Sequence, residues 1–223
     1  MSISPSEMRR TPRLVPAALA TAVLVASGCA SSGSARPAPA PPAKIGIAAM
    51  KHTAADAQFM RGMIHHHSQA VVMARWAPTH GAGADLRRFA ERIVVAQQDE
   101  IALMQNWLKE KGEPVPEATP GPMRMTMPDG ATHEMLMPGM LTEAELKQLD
   151  AARGAEFDRL FLTFMIRHHE GALDMVDELF ASKGAGQDED TFRLASDVFA
   201  DQTTEIRVMK EMLAARQSPS GAR

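Results

Sequence analysis

A spaced string recurs in this chain at a constant offset of 102 residues. Asp56-x-x-Phe59-x-x-x-Met63-Ile64-x-His66-His67-x-x-Ala70-x-x-Met73 matches Asp158-x-x-Phe161-x-x-x-Met165-Ile166-x-His168-His169-x-x-Ala172-x-x-Met175. Downstream, Gln97-x-x-Glu100-Ile101-x-x-Met104 matches Gln202-x-x-Glu205-Ile206-x-x-Met209 at an offset of 105. Both strings have the three- and four-residue spacing of a helix face, so each half is one amphipathic helical hairpin whose apolar stripe needs a partner. Two such hairpins packed together give an all-α, antiparallel four-helix bundle.

Local signals set the limits. Thr53 with Asp56 and Thr142 with Glu145 read as capping boxes. The first helix is expected over about 54–77, before Pro78 and Gly81. Leu86, Phe89, Ile93, Glu100, Met104 and Leu108 carry the second until Gly112 and Pro114. From Thr142, one helix of about 40 residues runs through Leu146, Leu149, Phe157, Leu160, Phe161, Phe164 and Leu179 to Gly184. Asp188 opens the last, carried by Phe192, Ala195, Val198, Phe199, Ile206, Met209 and Leu213. No stretch shows the alternation of a strand. The expected bundle spans 47–216, with hairpin 1 at 54–111, a linker at 113–141 and hairpin 2 at 142–216.

The N-terminus reads as an address. Arg9, Arg10 and Arg13 precede the apolar run from Leu14 to Ala26, and Ala26-Ser27-Gly28-Cys29 is lipobox-like, so residues 1–28 are expected to be a lipoprotein signal peptide and Cys29 the lipidated residue. The alternative is a plain secretory signal with a free thiol. Residues 29–46, rich in Ser, Ala and Pro, form a tether. Cleavage removes three Arg and one Glu, so the net charge of −3 becomes −5, which leaves no basic surface for nucleic acid or for membrane adhesion beyond the lipid. The single Cys excludes an intrachain disulfide.

The polar residues inside the pattern carry the functional question. At about 100° per residue, Met63, His66 and Met73 share one inward stripe with His67 on its flank, and Met165, His168, His169 and Met175 repeat it. Glu100 and Glu205 place carboxylates on the apolar stripes of the second and fourth helices, with Gln97 and Gln202 beside them. Four His, two Glu and several thioethers can therefore converge as a metal site. The competing reading is structural: His66 and His168 lock Glu100 and Glu205 across the bundle, and the Met only fill space.

The linker gathers Met123, Met125, Met127, Met135, Met137 and Met140 with His133. Its Pro and Gly content argues against a regular element, and exposed thioethers suit Cu(I), a soft ion, in a compartment where thiols are lost. The alternative is a loop folded back over an apolar groove.

These paired segments, with the lead-in Met137-Pro138-Gly139-Met140-Leu141-Thr142, resemble the bacterial family called domain of unknown function 305, over about residues 50–214. That resemblance implies export, a ferritin-like bundle, and kinship with the CopM-type copper-binding proteins. A ferritin-like diiron oxidoreductase is the sharper alternative, but no Glu stands three residues before the motif His, where Met63 and Met165 stand instead. Asp56 and Asp158 read as helix N-terminal charges. No nucleophile elbow, Cys–His pair or His-Glu-x-x-His is present, so no enzyme is expected. The combined expectation is a lipid-anchored envelope protein that binds copper, Cu(I) above all, for buffering or tolerance. The rival is a structural or interaction lipoprotein.

Overall fold

The computed structural model describes residues 52–126 and 130–217. The expected signal segment, Cys29, the tether and Met127 lie outside the described residues. Helices α1 (Ala54–Trp76) and α2 (Ala84–Glu110) form the first hairpin, and α4 (Gly154–Ala181) and α5 (Glu189–Gln217) the second. Between them come strands β1 (Met123–Thr126) and β2 (Thr132–Met135) and the short helix α3 (Glu143–Ala151). Among the described residues, no helix is long and apolar enough to cross a membrane.

Both capping boxes form. Thr53 accepts the Asp56 N–H while Asp56 takes the Thr53 N–H, and Thr142 and Glu145 do the same. Arg167 donates to Glu145 and, with the cap, holds its carboxyl at about 2. At the far hairpin the Asp188 carboxylate caps Thr191 and binds Trp107 and Lys111. Burial works against that charge, but these donors hold it at about 2.

The hairpins pack antiparallel through α1 and α4. Asp56 on α1 accepts the N–H of Gly186 in the α4–α5 loop, and Asp158 on α4 accepts the N–H of Gly83 in the α1–α2 loop. Each motif aspartate thus clasps the turn of the opposite hairpin. Asp158 is not the N-terminal charge expected of it: it is the fifth residue of α4, and Arg216 bridges it to Asp85.

The structure corrects three further expectations. The third helix is broken, because Ala152 and Arg153 are extended and Gly154 adopts a φ of 57°. That corner is held from outside by His80, which binds the Asp150 carboxylate and accepts the Gly154 N–H on its carbonyl. The linker contains an antiparallel hairpin, pairing Met123 with Met135 and Arg124 with Glu134. Phe192 and Phe199, read as core, are 56% and 42% exposed; Phe192 packs beside Phe180 on the outside of the α4–α5 hairpin.

The apolar interior falls into two clusters. Met60, Met63, Met104, Leu108, Met175 and Leu179 fill one end, and Met73, Leu86, Ile93, Phe157, Phe161 and Met165 the other. The motif histidines are fully buried at mid-height of the bundle.

Candidate functional site

Helical spacing turns the two adjacent histidines of each motif in different directions. His66 and His168 meet at the α1–α4 seam with ring centroids 3.7 Å apart. His67 turns to α2, where its Nε2–H donates to Glu100 at 2.7 Å, and His169 turns to α5, donating to Glu205 at 2.9 Å. Contrary to expectation, the carboxylates are bound by His67 and His169, because one residue of rotation separates the seam from the flank. All four rings are fully buried, whereas the side chains of Glu100 and Glu205 retain 16% and 21% exposure.

Burial lowers the pKa of His66 and His168 well below the usual 6.5, and the neighbouring imidazoles act in the same direction. Both rings are neutral at pH 7. His66 donates its Nε2–H to the Pro138 carbonyl at 3.0 Å.

Among the described residues, the buried side-chain polar atoms without a hydrogen-bond partner are Nδ1 of His66, His67 and His169, both ring nitrogens of His168, Oε1 of Gln97 and both amide atoms of Gln202. All of them belong to the two repeated strings. Buried polar atoms are normally satisfied, so this layer has unused donor and acceptor capacity. An imidazole whose Nε2–H is held by a carboxylate or carbonyl presents Nδ1 as a lone pair, the arrangement that orients histidines toward a metal. Even so, among the described residues no three His, Cys, Asp or Glu side chains are gathered into a group that could hold an ion. The nitrogens are oriented in pairs rather than closed into a coordination sphere.

The thioethers divide around this layer. Met73 and Met165 lie in the cluster at the α1–α2 loop, which Leu141 joins but none of the linker's described Met does. Met63 and Met175 lie in the other, joined by Met123, Met137 and Met140 from the linker. The linker therefore folds back over the bundle and buries most of its described Met. Met135 remains 42% exposed, and His133 is exposed on β2. Met135, Met137 and Met175 line one cavity of about 320 Å³, and Met137 and Met175 meet at Gly62, where a Cβ would lie 2.9 Å from the Met137 sulfur.

The seating of the linker was not foreseen. Gln69 accepts the Leu141 N–H at 2.6 Å and donates to the Leu141 and Pro120 carbonyls. On α4 the Pro138 carbonyl presses on Gly171, where any Cβ would collide with it. Gln69 and Gly171 stand at the same position of the two strings, one of several differences between them, so nothing in the repeat singled out the seat.

Fold and site together define a duplicated helical bundle whose interior is crossed by paired histidines. The chain matches the family described as Domain of unknown function (DUF305) over residues 56–213, and it belongs to that family. A DUF305 protein of Streptomyces coelicolor, assigned to the secreted class, is 31% identical; the match covers 76% of this chain and 98% of that one with a TM-score of 0.61. CopM in its Cu(I)-bound form is 26% identical over 73% of this chain and 98% of that one, with a TM-score of 0.56, and CopM also has Cu(II)- and Ag-bound structures. The uncharacterised protein L153 of Acanthamoeba polyphaga mimivirus is 36% identical over 56 residues, 25% of this chain and 37% of that protein's length.

Proposed function

We propose that this protein is an exported, lipid-anchored copper-binding protein that buffers the ion in the cell envelope and carries out no catalysis. The observation that carries the reading is the layer of buried imidazole nitrogens, three of them Nδ1 lone pairs oriented by an Nε2–H already given to Glu100, Glu205 or Pro138. On this reading His66, His67, His168 and His169 supply nitrogen, and Glu100 and Glu205 orient it. Met63, Met135, Met137 and Met175 supply sulfur at the linker side, which favours Cu(I) over harder ions. The copper- and silver-bound forms of CopM support the choice of metal. Cys29 is the proposed anchor, and its replacement by Ala should release the protein from the membrane fraction.

A competition titration of residues 29–223 tests the metal: Cu(I) is expected to bind more tightly than Zn(II), and equal or tighter zinc binding refutes the preference.

One observation favours a purely structural reading, namely that His67–Glu100 and His169–Glu205 already satisfy one another across each hairpin. Thermal unfolding of the wild type and of His66→Leu/His168→Leu, each with chelator and with excess Cu(I), separates the two. Metal binding predicts a copper-induced rise in the wild type that the double variant loses, since a ligand of the native state raises the midpoint. No rise in the wild type favours the lock.

A further inference from the structure

The faces of the histidine layer are unequal. On the α1–α4 side the linker lies directly on the helices, its Pro138 carbonyl against Gly171 and its Leu141 backbone held by Gln69 at both N–H and C=O. On the α2–α5 side a cavity of about 310 Å³ is lined by Gln97, Glu100, Asp201, Gln202 and Glu205, with Arg92 and Ala96 also at its wall. Gln97 and Gln202 are each only 3% exposed, and their side-chain carbonyl oxygens have no partner. A buried amide oxygen without a donor is costly in a closed core and is explained by a guest that accepts its lone pair.

We propose that the α2–α5 cleft is the port by which a transition-metal cation reaches the buried imidazoles, with Gln97 and Gln202 as its inner oxygen donors. The inference rests on the metal-binding reading and adds the route and two residues to it. Glu100 and Glu205 stand between cleft and core: each lines the cavity, keeps partial exposure and binds a fully buried histidine. Asp201 adds a third carboxylate to the cavity wall. Such a concentration of like charge beside low-dielectric walls attracts cations and speeds their entry. The repeat sharpens the argument. At the offset of 105 that aligns Gln97 with Gln202, the second half has Asp201 where the first has Ala96, and Asp197 where the first has Arg92. The port therefore carries an unmatched carboxylate, Asp201, on α5 and a cation, Arg92, on α2.

That asymmetry gives the test two opposite signs. Stopped-flow quenching of the two tryptophans by Cu(II) alone would follow loading at low ionic strength. Asp201→Asn is expected to slow loading roughly three- to tenfold and Arg92→Gln to speed it by a similar factor, both effects shrinking in salt. Gln97→Leu/Gln202→Leu, which removes two unpartnered amide oxygens and should leave the fold intact, is expected to weaken equilibrium binding at least about tenfold. Circular dichroism of each variant checks the fold. Unchanged rates in both charge variants, or shifts of the same sign, overturn the port while leaving the metal reading in place. Absence of Cu(II) binding to the wild type overturns the port, and absence of both Cu(II) and Cu(I) binding overturns the metal reading with it.

Discussion

In the first half of the molecule His66 gives its Nε2–H to the Pro138 carbonyl, whereas its counterpart His168 finds no partner for either ring nitrogen. The flanking pairs do not differ in this way: His67–Glu100 and His169–Glu205 are nearly the same length. Symmetry holds inside each hairpin and fails at the α1–α4 seam, where the single linker bonds His66 alone. A linker that occurs once cannot serve two copies alike, so Gln69 became its anchor on α1 and Gly171 its seat on α4. Duplication supplies a matched layer of imidazoles, and the linker makes the two halves chemically distinct.

The largest expected effect comes from the seat itself. Gly171→Ala drives a methyl into the Pro138 backbone and should destabilise the protein by about 3 kcal/mol in denaturant unfolding. Gln69→Ala, at the matching position, should lose about 2 kcal/mol by leaving the Leu141 and Pro120 backbone groups unpaired. Stability unchanged in both would mean that the linker does not order the halves.

The crossed clasps come next. Asp56→Ala removes a cap and the Gly186 bond together, and about 2 kcal/mol is expected. Asp158→Ala should cost about half as much, because Arg216 keeps Asp85 as a partner. Equal losses would erase that difference.

Acid should weaken the native state through the stacked histidines. Burial holds His66 and His168 unprotonated below their ordinary 6.5, so the unfolded chain binds more protons there. Stability is full above pH 6.5 and falls as pH drops toward the depressed folded-state values, by up to about 1.4 kcal/mol per pH unit for each ring. His66→Leu/His168→Leu should flatten that slope between pH 6.5 and 5; an unchanged slope would assign it to other groups.

The smallest effect is the most specific to the asymmetry. His168→Leu discards no hydrogen bond and should be neutral or stabilising, whereas His66→Leu loses its bond to Pro138, and about 1 kcal/mol should separate them with chelator present. Equal values would show that the Pro138 bond contributes nothing.

The repeated strings, the limits of α1 and both capping boxes were legible because each is written in residues a turn or two apart. The expectation of no strand overlooked the alternation in Met123-Arg124-Met125-Thr126, a run of four beside Pro and Gly that becomes a strand only with Thr132–Met135 as its partner. The break after Ala151 was hidden because apolar spacing continues through it, while the residue that holds the corner, His80, comes from the α1–α2 loop.

Which histidine meets which carboxylate lay beyond the spacing: one residue of helical rotation separates seam from flank, and only the packed neighbours say which side faces what. The buried amides of Gln97 and Gln202 are likewise ordinary helix residues until α2 and α5 face each other across the cleft. Periodicity, a property of the chain alone, determined that this protein is a duplicated helical bundle with imidazoles inside. Their partners, their unpaired nitrogens and the one-sided cover of the linker were decided by tertiary packing, because each depends on atoms far apart in sequence and brought together only in the folded bundle.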